Sequence, residues 1–309
     1  LETNNKPLYN DLSTYYKNKY GKKVFKVPIN AGFTCPNIDG KVARGGCIFC
    51  SAFGSGEFGG NRRDSFQKQF DNVKAKLHQK WHDAYYIVYL QAYTNTYAPL
   101  EKLKKIYEEA ISLDPNIKGI SISTRPDEIT EEIANYLSIL NKKTDVQIEL
   151  GLQTIHQDTA NMLNRAHDLN SFISAVKILR KYKIDIVVHI IDGLPGETYD
   201  MMLDTVKFLN TQDIQGIKIH ILNILSNSKL GRNYLKKPFP ILSRDEYLEI
   251  IVNQLANLRK DIIIHRLTGD GDLKYLIEPK WIVKKFSVLN DIKKKLKLLN
   301  FYQGCLYDA

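Results

Sequence analysis

The sequence predicts an α/β protein whose parallel strands form a barrel or partial barrel, and three observations predict it. Short apolar segments alternate with amphipathic segments of about 10 to 15 residues, the pattern of βαβ units feeding a parallel sheet. The strand segments are near-continuous apolar runs, as expected where both faces of a sheet are covered. Six such strand-helix units fit between residues 24 and 240 of the 309-residue chain. That count and length favour a barrel over a doubly wound sheet, although periodicity alone does not separate the two.

In chain order, residues 8–20 read as a helix stopped by Gly21, since glycine just past the last periodic residue is a usual helix end. Residues 24–33 are rich in β-formers and lead straight into a cysteine-bearing loop. Helix is expected over 64–80, strand over 85–90, and helix over 100–113 with Pro99 at its start. Strands at 117–122, 146–152, 184–191 and 216–224 alternate with helices at 128–140, 170–182 and 199–209. Beyond this core of about 24–240, a helix at 244–258, a short strand at 262–265 and a lysine-rich helical region at 281–299 follow. No Pro/Gly/Ser linker or internal repeat sets them apart, so residues 1–309 are expected to form one domain with a C-terminal extension at about 241–309.

Composition is that of a soluble globular protein. No apolar run reaches the roughly 18 residues of a membrane span, and residues 1–20 are polar and tyrosine-rich, unlike a signal segment. A cytoplasmic protein without membrane contact is the expectation. The net charge of +10 suits an anionic partner such as RNA, or simply reflects solvated lysine-rich helix faces. The 281–299 segment poses the same choice: Phe286, Leu289, Ile292 and Leu296 are expected on one buried face, with Lys293, Lys294 and Lys295 either solvated or gripping phosphates.

Three of the four cysteines, Cys35, Cys47 and Cys50, lie within sixteen positions. Thiolates are soft ligands for iron-sulfur clusters or zinc. A four-iron cluster normally takes four thiolates, so three would leave one iron open. A zinc site would need a fourth ligand, from Cys305 or one of the seven histidines. Glu149 falls inside an apolar strand, where an unpaired carboxylate is costly, so a partner or a functional pocket is required there. Gly54-Ser-Gly56-Glu-Phe-Gly59 matches a dinucleotide fingerprint, but it follows the cysteine loop instead of a strand, and its glycines suit a loop that wraps the cysteines. Asp270-Gly-Asp272 begins like a calcium loop but lacks the later oxygen ligands, and reads as a polar turn or a substrate-facing carboxylate pair.

Further polar motifs close the predicted strands: Gln91-Ala-Tyr-Thr94-Asn95-Thr96, Ser121-Ile-Ser123-Thr-Arg125-Pro-Asp127, Glu149-Leu-Gly-Leu-Gln153, then Asn164-Arg165-Ala-His167, and His189-Ile-Ile-Asp192-Gly-Leu-Pro-Gly196. With the three-cysteine loop and Phe49 before its last cysteine, this order resembles the radical S-adenosylmethionine (SAM) superfamily. Its core is similar to that of the Elongator catalytic subunit and, more distantly, of the oxygen-independent coproporphyrinogen oxidases. The eleven-residue first gap departs from the commonest C-x3-C-x2-C spacing. The motifs 30–40, 45–50, 90–97 and 265–272 together look like the bacterial YtqA/YhcC type.

That resemblance implies a partial (β/α)6 TIM-like barrel with N- and C-terminal helical extensions. It implies a 4Fe-4S cluster on Cys35, Cys47 and Cys50, and SAM contacted by Phe49, Thr94, Asn95, Ser123, Gln153, Arg165 and His189. In particular, Arg165 would meet the SAM carboxylate and Gln153 its ribose or methionine. It further implies an MnmL-like role at the tRNA wobble uridine, converting the 5-carboxymethylaminomethyl group toward aminomethyl. The implied partners are tRNA and a reductant such as flavodoxin or ferredoxin. Two alternatives stay open: a coproporphyrinogen-oxidase-like reaction on a small molecule, and a non-catalytic, zinc-stabilised RNA-binding protein. Neither an acetyltransferase domain nor the extra cysteine-bearing domain of methylthiotransferases is expected.

Overall fold

The computed structural model of the chain describes residues 7–269 and 271–308. Its sheet contains β1 (Lys23–Ile29), β2 (Ala84–Leu90), β3 (Ile117–Thr124), β4 (Asp145–Gln153), β5 (Asp185–Asp192) and β6 (Gly216–Ile221). Past a two-residue strand β7 (Ile224–Leu225), β8 (Ile263–Arg266) joins the same sheet, while β9 (Leu276–Glu278) pairs antiparallel with β7. The large sheet runs β1-β2-β3-β4-β5-β6-β8 and every neighbouring pair is parallel. Each strand from β2 to β6 pairs with its predecessor in sequence, so there is no reversal of strand order as in a doubly wound sheet. The sheet therefore curls one way, into an open half-barrel.

Residues 262–265, expected as a tail strand, thus supply a seventh strand to the sheet, and the segment expected as one strand at 216–224 breaks at Ile221. Helices α1 (Leu12–Tyr20), α2 (Pro36–Asp39), α3 (Phe66–His78), α4 (Leu100–Ser112), α5 (Glu131–Leu140), α6 (Gln157–Met162), α7 (Leu169–Lys181) and α8 (Tyr199–Asn210) precede α9 (Lys229–Lys236), α10 (Arg244–Asn257) and α11 (Lys285–Leu298). Their starts are written locally: Asp11, Thr130, Asp168, Thr198 and Ser228 each accept a hydrogen bond from a backbone N–H of the first turn. Ser243 and Glu246 complete a capping box on α10.

The strands are not uniformly apolar, and the alternation positions the site. Ile120 and Ile122, Ile148 and Leu150, Ile186 and Val188, and Ile217 and Ile219 join helix residues such as Leu103, Leu137, Phe172 and Tyr247 in one buried cluster. The alternate positions, including Tyr89, Ser123, Glu149, His189 and Lys218, line a cavity on the concave side. Because side chains alternate along a strand, one face builds the core and the other a polar interior.

One expectation for the last helix is corrected. Val288, Ile292 and Leu296 are buried, with Leu289 half-buried, whereas Phe286 is 80% exposed. At about 100° per residue, Phe286 lies roughly a third of a turn from the centre of that stripe. Asp270 lies outside the described residues, and Asp272 accepts from Lys274 N at 3.0 Å in a polar turn. Among the described residues no helix is long and apolar enough to cross a membrane.

Candidate active site

β1 delivers the chain to Cys35, whose carbonyl accepts from Ile38 N at 2.8 Å and so opens the single turn of α2, with Pro36 at its first position. Gly45 and Gly46 then take φ of 85° and 71°, the left-handed region open to glycine, and turn the chain back toward Cys47. The loop is stitched to residues 163–165: Asn37 Nδ2 donates to Asn164 O at 2.6 Å, Asn164 Nδ2 to Gly46 O at 2.7 Å, and Ile48 N to Leu163 O at 2.9 Å. The glycines at 54 and 56 let the following loop lie on the end of β2. A Cβ on Gly56 would stand 2.4 Å from Ala92 Cβ, and one on Gly54 would stand 2.4 Å from the Tyr93 ring.

Cys35, Cys47 and Cys50 are free thiols on the wall of one cavity of about 250 Å³. Phe49, Thr94, Ser123, Gln153, Arg165 and His189 share that wall. Asn95 does not. It is fully buried, and its Nδ2 holds the carbonyls of Leu90, Ala92 and Ser123 at 3.1, 3.1 and 2.9 Å, which binds the ends of β2 and β3 together. Cys305 is also absent from this wall; its N donates to Tyr302 O near the end of the chain.

A hydrogen bond from Cys50, aided by the Arg125 and Arg165 guanidiniums, holds Cys47 below the ordinary thiol range, and Cys50 is raised in exchange. Asn37 Nδ2 lies 3.6 Å from Cys47 Sγ and Ser55 Oγ 3.5 Å from Cys50 Sγ. Burial pushes Cys35 up against an opposing hydrogen bond from Thr94.

Arg165 is 1% exposed and its guanidinium is largely engaged by the main chain. Nη1 donates to Leu152 O and Thr154 O at 2.5 and 2.6 Å, and Nε and Nη2 donate to His167 O at 3.1 and 3.0 Å. Of five N–H groups one remains, too few for a two-pronged clasp of a carboxylate in this arrangement. Arg125 is committed in a similar way, to both oxygens of Asp127 and to the carbonyls of Arg165 and Ala166. Gln153 ends β4 at a register shift with φ of 62°, a strained setting of the kind found at ligand sites.

Beneath this rim lies a network that the strand-end motifs do not reveal. Glu149, with its side chain fully buried, accepts from Lys26 Nζ and Ser121 Oγ at 2.6 Å each, meets His189 Nε2 at 2.6 Å, and pairs with Lys218. Lys218 Nζ also donates to Tyr89 OH at 3.1 Å and lies 4.4 Å from the centre of that ring. The partner demanded by a carboxylate inside a strand is therefore present, from β1, β3, β5 and β6 at once. Burial opposes ionisation of Glu149, but Lys218, Lys26 and His189 overcome it and hold the carboxyl well below its usual range. Burial drives Lys218 down to about 7 and His189 down to about 4. The available signal was the period-two recurrence of polar residues, Ser121 with Ser123, Gln147 with Glu149 and Lys218 with His220, inside otherwise apolar strands.

Among the described residues no three His, Cys, Asp or Glu side chains gather at single-ion spacing. Three free thiols instead ring one cavity wall beside cationic groups, a donor set that fits an iron-sulfur cluster, in which different irons take different thiolates. The adjoining polar wall of Thr94, Ser123, Gln153 and His189 fits a polar cofactor such as SAM.

Comparison with known proteins gives the same identification. Residues 40–209 match the radical SAM superfamily and residues 214–298 the radical SAM C-terminal domain. The chain is 45% identical over 302 residues to the uncharacterized protein YtqA of Bacillus subtilis, covering 98% of this chain and 94% of that one. It is 25% identical over 177 residues to a tRNA uridine(34) acetyltransferase of Methanocaldococcus infernus, covering 55% of this chain but 33% of that protein. The structure of the Elp3 protein of the same archaeon, lacking its N-terminus, superposes with a TM-score of 0.67 at 15% identity, over 91% of this chain and 64% of that one. That likeness shows the half-barrel fold. The chain belongs to the radical SAM superfamily of enzymes, and a 4Fe-4S cluster and SAM are its cofactors.

Proposed function

We propose that this enzyme modifies the wobble uridine of tRNA, carrying a 5-carboxymethylaminomethyl group toward the aminomethyl form. The observation that carries the reading is the 177-residue alignment with a protein whose name places its action at uridine 34 of tRNA. The net charge of +10 is consistent with a polyanionic substrate. An enzyme that acts on a loop base needs that base unstacked and drawn into a pocket, and the concave side of the half-barrel offers one.

In this reading Cys35, Cys47 and Cys50 hold the cluster, and Phe49, Thr94, Ser123, Gln153, Arg165 and His189 face SAM. When bound, the cluster and SAM would supply one-electron radical chemistry, with the electron coming from a donor such as flavodoxin or ferredoxin. The chain's own residues bind and orient. Arg125 and Arg165 favour anionic sulfur at the cysteines, Asn95 fixes the strand ends that carry Thr94 and Ser123, and Glu149 sets His189 and Lys218 in place. Phe49, packed near Ile48, Leu163 and Leu194, keeps apolar surface beside the cysteines and limits water. The test is mass spectrometry of tRNA nucleosides from a strain lacking this protein. Accumulated carboxymethylaminomethyluridine is expected, and unchanged wobble uridines would refute the assignment.

A further inference from the structure

The cofactor cavity continues past the polar interior of the sheet. A second cavity of about 1090 Å³ adjoins it, bounded by β1 on one side and by β8 and the residues after it on the other, with Tyr89, Lys218 and Arg266 common to both. β1 and β8 are the two ends of the strand order, so this cavity lies along the open edge of the half-barrel.

Three polar side chains on its wall keep hydrogen-bonding capacity unused among the described contacts. Lys218 Nζ serves Glu149 and Tyr89, which leaves one N–H uncommitted among the described contacts. His265 lies against Gly216, where an added Cβ would stand 2.7 Å from its Nε2, and neither ring nitrogen has a partner among the described residues. Burial, with the nearby charge of Lys26, keeps this ring well below the ordinary histidine range, so it is neutral and carries one N–H. Thr268 is 2% exposed and its hydroxyl also lacks a partner among the described residues. Lys26 adds charge without a spare N–H, being bonded to Ser121, Gln147 and Glu149. Among the described residues the acids on the same wall have partners of their own: both oxygens of Asp11 accept from Thr14, and Asp272 Oδ1 accepts from Lys274 N.

Lys218, His265 and Thr268 each have one N–H or O–H left to give, and beside two ammonium groups sharing one carboxylate they favour a ligand that accepts and is itself negative. We infer that this second cavity binds a carboxylate of the substrate, with Lys218, His265 and Thr268 as donors, and holds it across Tyr89 from the cofactors. The inference rests on the wobble-uridine reading only for the scaffold, because the carboxymethylaminomethyl group ends in such a carboxylate; the charge preference follows from the cavity itself.

The test uses the reconstituted holoenzyme with SAM, held anaerobically and titrated calorimetrically. One probe pair is 5-carboxymethylaminomethyluridine and its carboxamide; the other is N-benzylglycine and N-benzylglycinamide, which carries the same contrast without a nucleoside. Each acid should bind about tenfold or more tighter than its amide, the scale of one charge-assisted hydrogen bond. Thr268→Val, nearly isosteric, and His265→Phe should each shrink that ratio by about threefold or more, with iron content and melting temperature near those of the parent. A preference confined to the benzylglycine pair would uphold the site and reject the nucleoside as its ligand. Equal binding of acid and amide in both pairs, no binding by either acid, ratios unmoved in both variants, or stronger competition by inorganic phosphate than by acetate would each overturn the inference.

Discussion

Replacing Glu149 by Gln removes the one described carboxylate that Lys26 and Lys218 share, and its cost can be gauged from the structure. The Lys26 contact is 2.6 Å long, with side-chain exposures of 15% for the lysine and 0% for the acid, and Lys218 is 6% exposed. At an effective dielectric of ~20, a pair at this distance attracts by about 6 kcal/mol before desolvation is counted. Desolvation opposes most of that, and breaking a buried pair by removing one partner costs about 3–5 kcal/mol, because the surviving charge is left buried and uncompensated. For a chain of this size the loss corresponds to a fall in melting temperature of roughly 5–8 °C. Glu149→Gln combined with Lys218→Met removes one charge of each sign and should recover more than half of that fall. Melting of parent, both single variants and the double variant, each at matched iron content, forms the cycle. A drop under about 2 °C for Glu149→Gln, or a double variant no better than the sum of the singles, would refute the view that this carboxylate holds the polar interior together.

Three further outcomes are expected. Alanine at Cys35, Cys47 or Cys50 should abolish cluster incorporation and 5'-deoxyadenosine formation in the anaerobic reduced protein; persistence of the nucleoside would remove that cysteine from the cluster. Asp192 is buried and raised to about 8 by that burial, with one oxygen accepting from Gln254 and the other unpartnered among the described residues. Its folded pKa lies above its unfolded value, so the folded state holds the extra proton and stability is lost as pH climbs from about 4 to about 8. Asp192→Asn removes that dependence, and its melting temperature relative to the parent should improve steadily from pH 5 to pH 8; a constant difference would contradict the assignment. Gly56→Ala would bring a methyl within 2.8 Å of Ala92 Cα and push the loop carrying Ser55 off the end of β2. Iron content should fall more than melting temperature does, and a fully loaded variant would show that the loop tolerates displacement.

Much of the fold was legible because it is written locally. Alternating apolar strands, Gly21 ending the first helix, Pro99 opening another and the glycines that let the 54–59 loop wrap the cysteines are short-range signals. Asn95 and Arg165 show where such signals stop. Both were expected to contact SAM; Arg165 does line the cavity but keeps one N–H after giving four to Leu152, Thr154 and His167, whereas Asn95 is off that wall and spends its amide on the carbonyls of Leu90, Ala92 and Ser123. A polar residue at a strand end looks the same in sequence whether its hydrogen bonds go to a ligand or to a neighbouring loop.

By itself the sequence determined that three thiols would share one loop, that parallel strands would follow, and that the strand ends would carry polar groups in a fixed order. The tertiary structure decided that residues 263–266 close the series as a seventh strand, that Phe286 faces solvent, and that Lys26, Glu149, His189 and Lys218 meet. The physical reason is register. Period-two alternation says that a strand has two faces, but only pairing with its neighbours chooses which carboxylate stands opposite which ammonium, and only the curl of the sheet brings β1 and β6 to the same acid.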